Sequence, residues 1–80
     1  MQENSKPYSR KMTAVRVIDV DDGVQVVFLE SAQFYRLSNR NPAFHSLVAT
    51  LRDCVEKGIP VEIATESLAS NIIDDVGRAR

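Results

Sequence analysis

The hydrophobic pattern changes period twice along this chain. Between Asn41 and Pro60 the apolar residues Phe44, Leu47, Val48, Leu51, Cys54 and Val55 recur at i, i+3, i+4, i+7, i+10 and i+11, one stripe at helical spacing. His45, Ser46, Arg52, Asp53, Glu56 and Lys57 fall on the other face. Asn41 suits an N-cap, because its side-chain oxygen can accept from an unpaired N–H of the first turn. Pro42 suits the first helical position, where its missing N–H costs nothing. Lys57 complements the dipole of the last turn, Gly58 offers a left-handed terminator and Pro60 blocks resumption. The spacing predicts a helix over residues 42–57. A single amphipathic helix cannot bury its own stripe, so the flanking segments must supply a partner.

Those segments alternate at period two. Thr13–Val20, Val24–Glu30 and Gln33–Leu37 read as strands before the helix, and Val61–Thr65 and Asn71–Val76 as strands after it. Asp21-Asp22-Gly23 between the first two is a hairpin signal, since Asp and Gly tolerate positive φ. Ser31-Ala32 is a weaker break, so Gln33–Leu37 is either a third strand or the second continued across a bulge. In the second strand Val24, Val26 and Phe28 share one face, and Val27 and Leu29 the other. The first strand likewise has apolar residues on both faces, Val15 and Val17 against Ile18 and Val20. Farther on, alternation sends Phe34 and Arg36 one way, Tyr35 and Leu37 the other. Residues 1–12 are polar and aperiodic and read as a flexible N-terminal tail. Residues 13–77 form a single domain, and 78–80 a C-terminal tail.

The fold class expected is α+β, mainly β, in the order β-β-β-α-β-β. That order is the one of a five-stranded, OB-like Greek-key barrel with its helix between strands three and four. The segment FYRLSNRNPAFHSLVATLRDCVEKGIPVEIATESLASNIIDDV resembles the second half of small OB-fold proteins such as the B subunits of AB5 bacterial toxins. The step Gly58-Ile59-Pro60-Val61-Glu62-Ile63 between helix and strand carries the likeness, which covers roughly residues 13–77 at the level of pattern. The resemblance implies a barrel plugged by the helix and a tendency to assemble through edge strands and helices. The toxin subunits bind glycans, but no binding residue is carried over. This chain departs from them in having no apolar leader and no disulfide.

Composition narrows the classes. Eighty residues suffice for one small domain, and 44% hydrophobic with 26% charged residues is globular composition. No apolar run approaches the ~18 residues of a membrane span. One cysteine excludes an internal disulfide framework, so a reduced, cytoplasmic setting is the expectation. The net charge of −1 is uneven: residues 1–12 carry +2, residues 13–77 carry −5, and Arg78 with Arg80 adds +2. An acidic body repels phosphate backbones and counts against nucleic acid. The basic ends, Arg10-Lys11 and Arg78-x-Arg80, read as solvated tails.

Candidate chemistry is sparse. Asp19, Asp21, Asp22 and Glu30 have some of the spacing of a calcium loop, but the sixth place is Val24 instead of glycine and both flanks are strands. His45 and Cys54 stand nine residues apart and project to opposite sides of the helix, so they form no dyad. Neither Glu62 with Glu66 nor Asp74 with Asp75 can flank one bond. The chain has no Gly-rich phosphate loop, Gly-x-Ser-x-Gly or His-Glu-x-x-His. No catalytic residue, cofactor or metal is therefore expected, and the chain does not read as an enzyme. The leading expectation is a cytoplasmic interaction module that self-associates as a homo-oligomer, or meets a protein partner, through outward apolar residues such as Val27 and Leu29. The alternative is a binder of single-stranded nucleic acid or oligosaccharide, with Phe34, Tyr35 and Arg36 as the ligand face.

Overall fold

A computed structural model describes residues 8–67 and 69–79 of the chain. Its elements are β1 (Ser9–Met12), β2 (Ala14–Val20), β3 (Gly23–Phe28), β4 (Tyr35–Ser38), α1 (Phe44–Lys57), β5 (Val61–Thr65) and β6 (Ile73–Arg78). The architecture is α+β and mainly strands. Two three-stranded antiparallel sheets, β1-β5-β6 and β2-β3-β4, pack with the helix around one core. The described strands pair as these two sheets and not as one continuous closed ladder.

The strand over residues 9–12 corrects the reading of 1–12 as a tail; residues 1–7 lie outside the described part. Ser9, Arg10, Lys11 and Met12 pair with Ala64, Ile63, Glu62 and Val61. Only Met12 of the four is buried, so the stretch has no hydrophobic period to betray it. Its order comes from a distant partner, β5, whose Val61, Ile63, Ala64 and Thr65 are buried. At the other end β6 runs to Arg78, past the expected limit, with Arg78 opposite Val61.

The hairpin forms where expected, and Gly23 opens β3 instead of sitting in the turn: Val20 pairs with Gly23 across Asp21-Asp22. Gly23 has φ 153°, while among the described residues no non-glycine has positive φ. A Cβ on Gly23 would fall onto the Leu37 carbonyl oxygen, because β4 runs close alongside. The close approach is closed by the Asn39 N–H donating to the Asp22 carbonyl at 2.9 Å. Beyond Phe28 the chain leaves the sheet. Glu30 turns back so that its carboxylate accepts from the Thr13 N–H at 2.7 Å and the Thr13 hydroxyl at 2.8 Å. β4 is thus a separate third strand, antiparallel to β3.

The helix starts two residues later than expected. The Asn41 Oδ1 accepts from the Ala43 N–H at 2.9 Å, and its amide donates to the Asp74 carbonyl at 3.0 Å. That Asx turn holds Pro42 and Ala43 ahead of the helix and ties the entry loop to β6. At the other end Gly58 is left-handed (φ 69°), and the Ile59 N–H donates to the Cys54 carbonyl at 3.0 Å, a Schellman-type ending. Leu47, Leu51 and Cys54 are buried, with Phe44, Val48 and Val55 packed at the edge of the core. The stripe meets Val24, Val26, Phe28, Tyr35 and Leu37 from one sheet and Val61, Ile63, Ile73 and Val76 from the other. Among the described residues no helix is long and apolar enough to cross a membrane.

Candidate functional site

The alternation along β3 and β4 sorts the expected ligand residues into two groups. Tyr35 and Leu37 point into the core, 3% and 1% exposed, and the Tyr35 ring meets Phe28 edge-on at 5.2 Å. Tyr35 is therefore removed from the ligand face and serves packing. Phe34 and Arg36 stay outside as expected; Phe34 is 52% exposed.

Cross-strand register assembles a surface around them. Arg16 lies opposite Val27, and Val26 opposite Tyr35, which sets Val27 beside Phe34. Two residue pairs along, on the same face, Ile18 lies opposite Gln25 and Gln25 opposite Arg36. Arg36 in turn faces Ile72 in an isolated parallel bridge, with the Arg36 N–H donating to the Asn71 carbonyl at 2.8 Å. The Asn71 side-chain amide donates to the Phe34 carbonyl at 3.2 Å, so the backbone that follows the aromatic ring is held at two points. A cleft of about 460 Å³ results, lined by Gln25, Gln33, Phe34, Arg36 and Asn71. A smaller one of about 100 Å³ continues it past Arg36 to Asp22, Ser38 and Ile72.

Electrostatically this face is close to balanced. Arg36 Nη2 is 3.2 Å from Asp22 Oδ1, both side chains well exposed. Arg52 Nη2 on the helix is 2.7 Å from Asp19 Oδ1. Arg16 makes no ion pair among the described residues. What the cleft offers is three neutral amides, one aromatic face and a guanidinium–carboxylate pair: many donors and acceptors with little net charge.

The expected oligomer contacts divide as well. Leu29, just past β3, is 72% exposed. Val27 is half-buried within the outer sheet face. Val15 (45% exposed) stands on the far side of β2, where Val15, Val17 and Val55 line a groove of about 300 Å³ between β2 and α1, rimmed by Arg16, Arg52 and Glu56. Cys54 is buried and unpaired, and His45 is exposed with its ring edge-on to Phe44 at 5.4 Å. Among the described residues no three His, Cys, Asp or Glu side chains converge as a metal site.

Gln25, Gln33, Asn71 and Ile72 were not anticipated as site residues. Gln25 could have been flagged as a polar residue inside an otherwise apolar strand. Asn71 and Ile72 reach the face only through the parallel contact with β4, and nothing local in the sequence encodes that pairing. Comparison with known proteins supplies no relative: no family model, no curated protein and no solved structure matches the chain.

Proposed function

We propose that this chain is a non-catalytic binding module of the OB type, whose outer β3–β4 face holds a short oligosaccharide. The OB reading is supported by the sequence of strand neighbours. With only Thr13 between them, β1 and β2 act as one bent strand, so neighbours run β4–β3–β2/β1–β5–β6. The Arg36–Ile72 bridge brings the start of β6 back to β4, and the helix connecting β4 to β5 packs on β2 and β6. Ligands of OB modules lie on this strand face and its bordering loops. The likeness to AB5 B subunits rests on the order of elements and on the Gly58–Ile63 step between helix and strand.

The observation that carries the ligand class is the lining of the cleft: Phe34 exposed beside Gln25, Gln33, Asn71 and an Arg36 already neutralised by Asp22. A sugar ring can lay its apolar face on Phe34 while its hydroxyls exchange hydrogen bonds with the amides. Single-stranded nucleic acid fits less well, because Arg36 and Arg52 are already paired with Asp22 and Asp19 and the balanced face offers phosphate no net positive charge. The test is an oligosaccharide array probed with the wild-type chain and Phe34→Ala. Binding that disappears in the variant, with the far-ultraviolet spectrum retained, supports the reading. A wild-type chain that takes no saccharide, or that takes oligonucleotides with a steep salt dependence, overturns it.

A second reading, self-association, is favoured by the exposure of Leu29 and Val15 and by β2 having a single strand neighbour. An edge strand with apolar neighbours is a template for a second chain. Sedimentation at tens of micromolar decides it: assemblies that dissociate on Leu29→Asp favour it, and a monomer removes it. The unpaired, buried Cys54 fits a reducing compartment such as the cytoplasm.

A further inference from the structure

We propose that Arg10 forms a bidentate oxyanion site at the end of the β1–β5 sheet, separate from the outer face and independent of the saccharide reading. Arg10 shares the inward side of β1 with Met12, two residue pairs before the buried Met12–Val61 pair. Its guanidinium carbon lies 5.6 Å from the centroid of the buried Tyr35 ring. A cation over an aromatic face is favourable, which holds the guanidinium beside the ring.

A ring face takes no conventional hydrogen bond, so the N–H groups still need acceptors. Nε and Nη2 of Arg10 are both closed off from solvent and have no acceptor among the described residues. These two nitrogens share one edge of the guanidinium. That edge is the side-on fork whose parallel N–H groups match two oxygens of a carboxylate or phosphate. A buried charged donor edge without an acceptor is costly, and structures rarely retain one without a partner to supply. The other charged side chain with a buried orphan atom is Asp53, and its oxygens already lie against Lys57 and Arg78 at the far end of β5 and β6. Arg10 has no such counter-ion among the described residues.

The chemistry it selects is a small planar or tetrahedral oxyanion. Such an ion enters by local opening of the sheet end, where the ladder finishes with the Thr65 N–H donating to the Tyr8 carbonyl at 3.1 Å. Ends of this kind open most readily. Two sources of the same chemistry are separable: a free oxyanion, to which we commit, and the carboxylate of the chain's own Glu3, which lies outside the described residues.

The experiment follows thermal unfolding and the Arg Nε–H resonances of wild type, Arg10→Met and Glu3→Gln in sodium chloride, and in sodium phosphate or acetate at matched ionic strength. Methionine keeps the length and packs on Tyr35 without charge. For an ion at ten times its Kd, the wild-type midpoint should rise by about 8 °C in phosphate or acetate over chloride. One Arg Nε–H resonance should move saturably. Glu3→Gln should behave as wild type, and Arg10→Met should lose the anion dependence while matching or exceeding wild-type stability in chloride. An anion effect that persists in Arg10→Met overturns the proposal, as does a wild type indifferent to both anions. A Glu3→Gln variant destabilised in chloride and rescued by neither anion overturns the free-ion assignment. Should Arg10→Met fail to fold, the wild-type resonance decides: saturable movement supports the site and its absence rejects it.

Discussion

The three glycines of this fold make a graded test of how the backbone, rather than side-chain chemistry, sets the sheet. Replacing Gly23 by alanine places a methyl group onto the Leu37 carbonyl oxygen and within 3.1 Å of the Asn39 nitrogen, both backbone atoms that cannot rotate away. β4 must then separate from the start of β3, and φ must move from 153°. A strained φ at a non-glycine residue costs about 1–3 kcal/mol. Losing the Asn39–Asp22 bond and weakening the Gly23–Ser38 pair adds about 1 kcal/mol each. The expected loss for Gly23→Ala is therefore about 3–5 kcal/mol, a large fraction of the stability of a domain this small. Gly58→Ala meets no atom within 4 Å and bears only its left-handed φ of 69°, so about 1 kcal/mol is expected. Gly77→Ala lies in β6 with open space around it and no positive φ; removing chain entropy there should be neutral or stabilising by up to about 1 kcal/mol. Urea unfolding followed by circular dichroism measures all three. A Gly23→Ala variant within 0.5 kcal/mol of wild type, or a Gly77→Ala variant costlier than Gly58→Ala, would refute the reasoning.

Four further outcomes follow from the same contacts. Leu51→Ala, at a fully buried helix position, should cost about 3 kcal/mol by denaturant unfolding, since the sheets on both sides limit collapse of the cavity. Asp53 Oδ1 lies 3.3 Å from Lys57 Nζ and its Oδ2 2.7 Å from Arg78 Nη2, and the Lys57 and Arg78 contacts hold its carboxyl below the usual aspartate range. A folded-state pKa below the unfolded one contributes stability above the unfolded value and loses it as pH falls through the folded value. The unfolding midpoint should therefore drop below about pH 4, less steeply in Asp53→Asn; equal slopes would remove Asp53 from the account. Glu30, lowered by the Thr13 N–H and hydroxyl, should act in the same direction, and Glu30→Gln should flatten the same acid limb. Cys54 should resist an aromatic disulfide reagent in buffer and react fully in denaturant, because the thiol is fully buried; prompt reaction in buffer would place it outside the core.

The helix was legible because its stripe, its left-handed glycine and its following proline all agree, and the core uses that stripe. Its first turn was misplaced because Asn41 caps a turn instead of the helix, spending its second polar group on Asp74 in β6. The hairpin was legible from Asp21-Asp22-Gly23, whereas the reason for Gly23 was not: the constraint comes from Leu37 in the next strand. β1 left no mark, since three polar residues in four hide a strand whose order is supplied by β5. On the candidate face, alternation separated Phe34 and Arg36 from Tyr35, yet all three stood as ligand residues, because period two gives two faces without naming the inner one. Arg10 read as part of a basic tail, and only the pairing of β1 with β5 carries it to Tyr35.

Chemical-shift mapping of the uniformly labelled chain against a panel of short neutral oligosaccharides tests the central claim most directly. The expected result is saturable movement confined to Gln25, Gln33, Phe34, Arg36 and Asn71 and their neighbours, abolished in Phe34→Ala and unaffected by salt. Shifts centred instead on the groove of Val15, Val17 and Val55, or no saturable shift with any member of the panel, would contradict it.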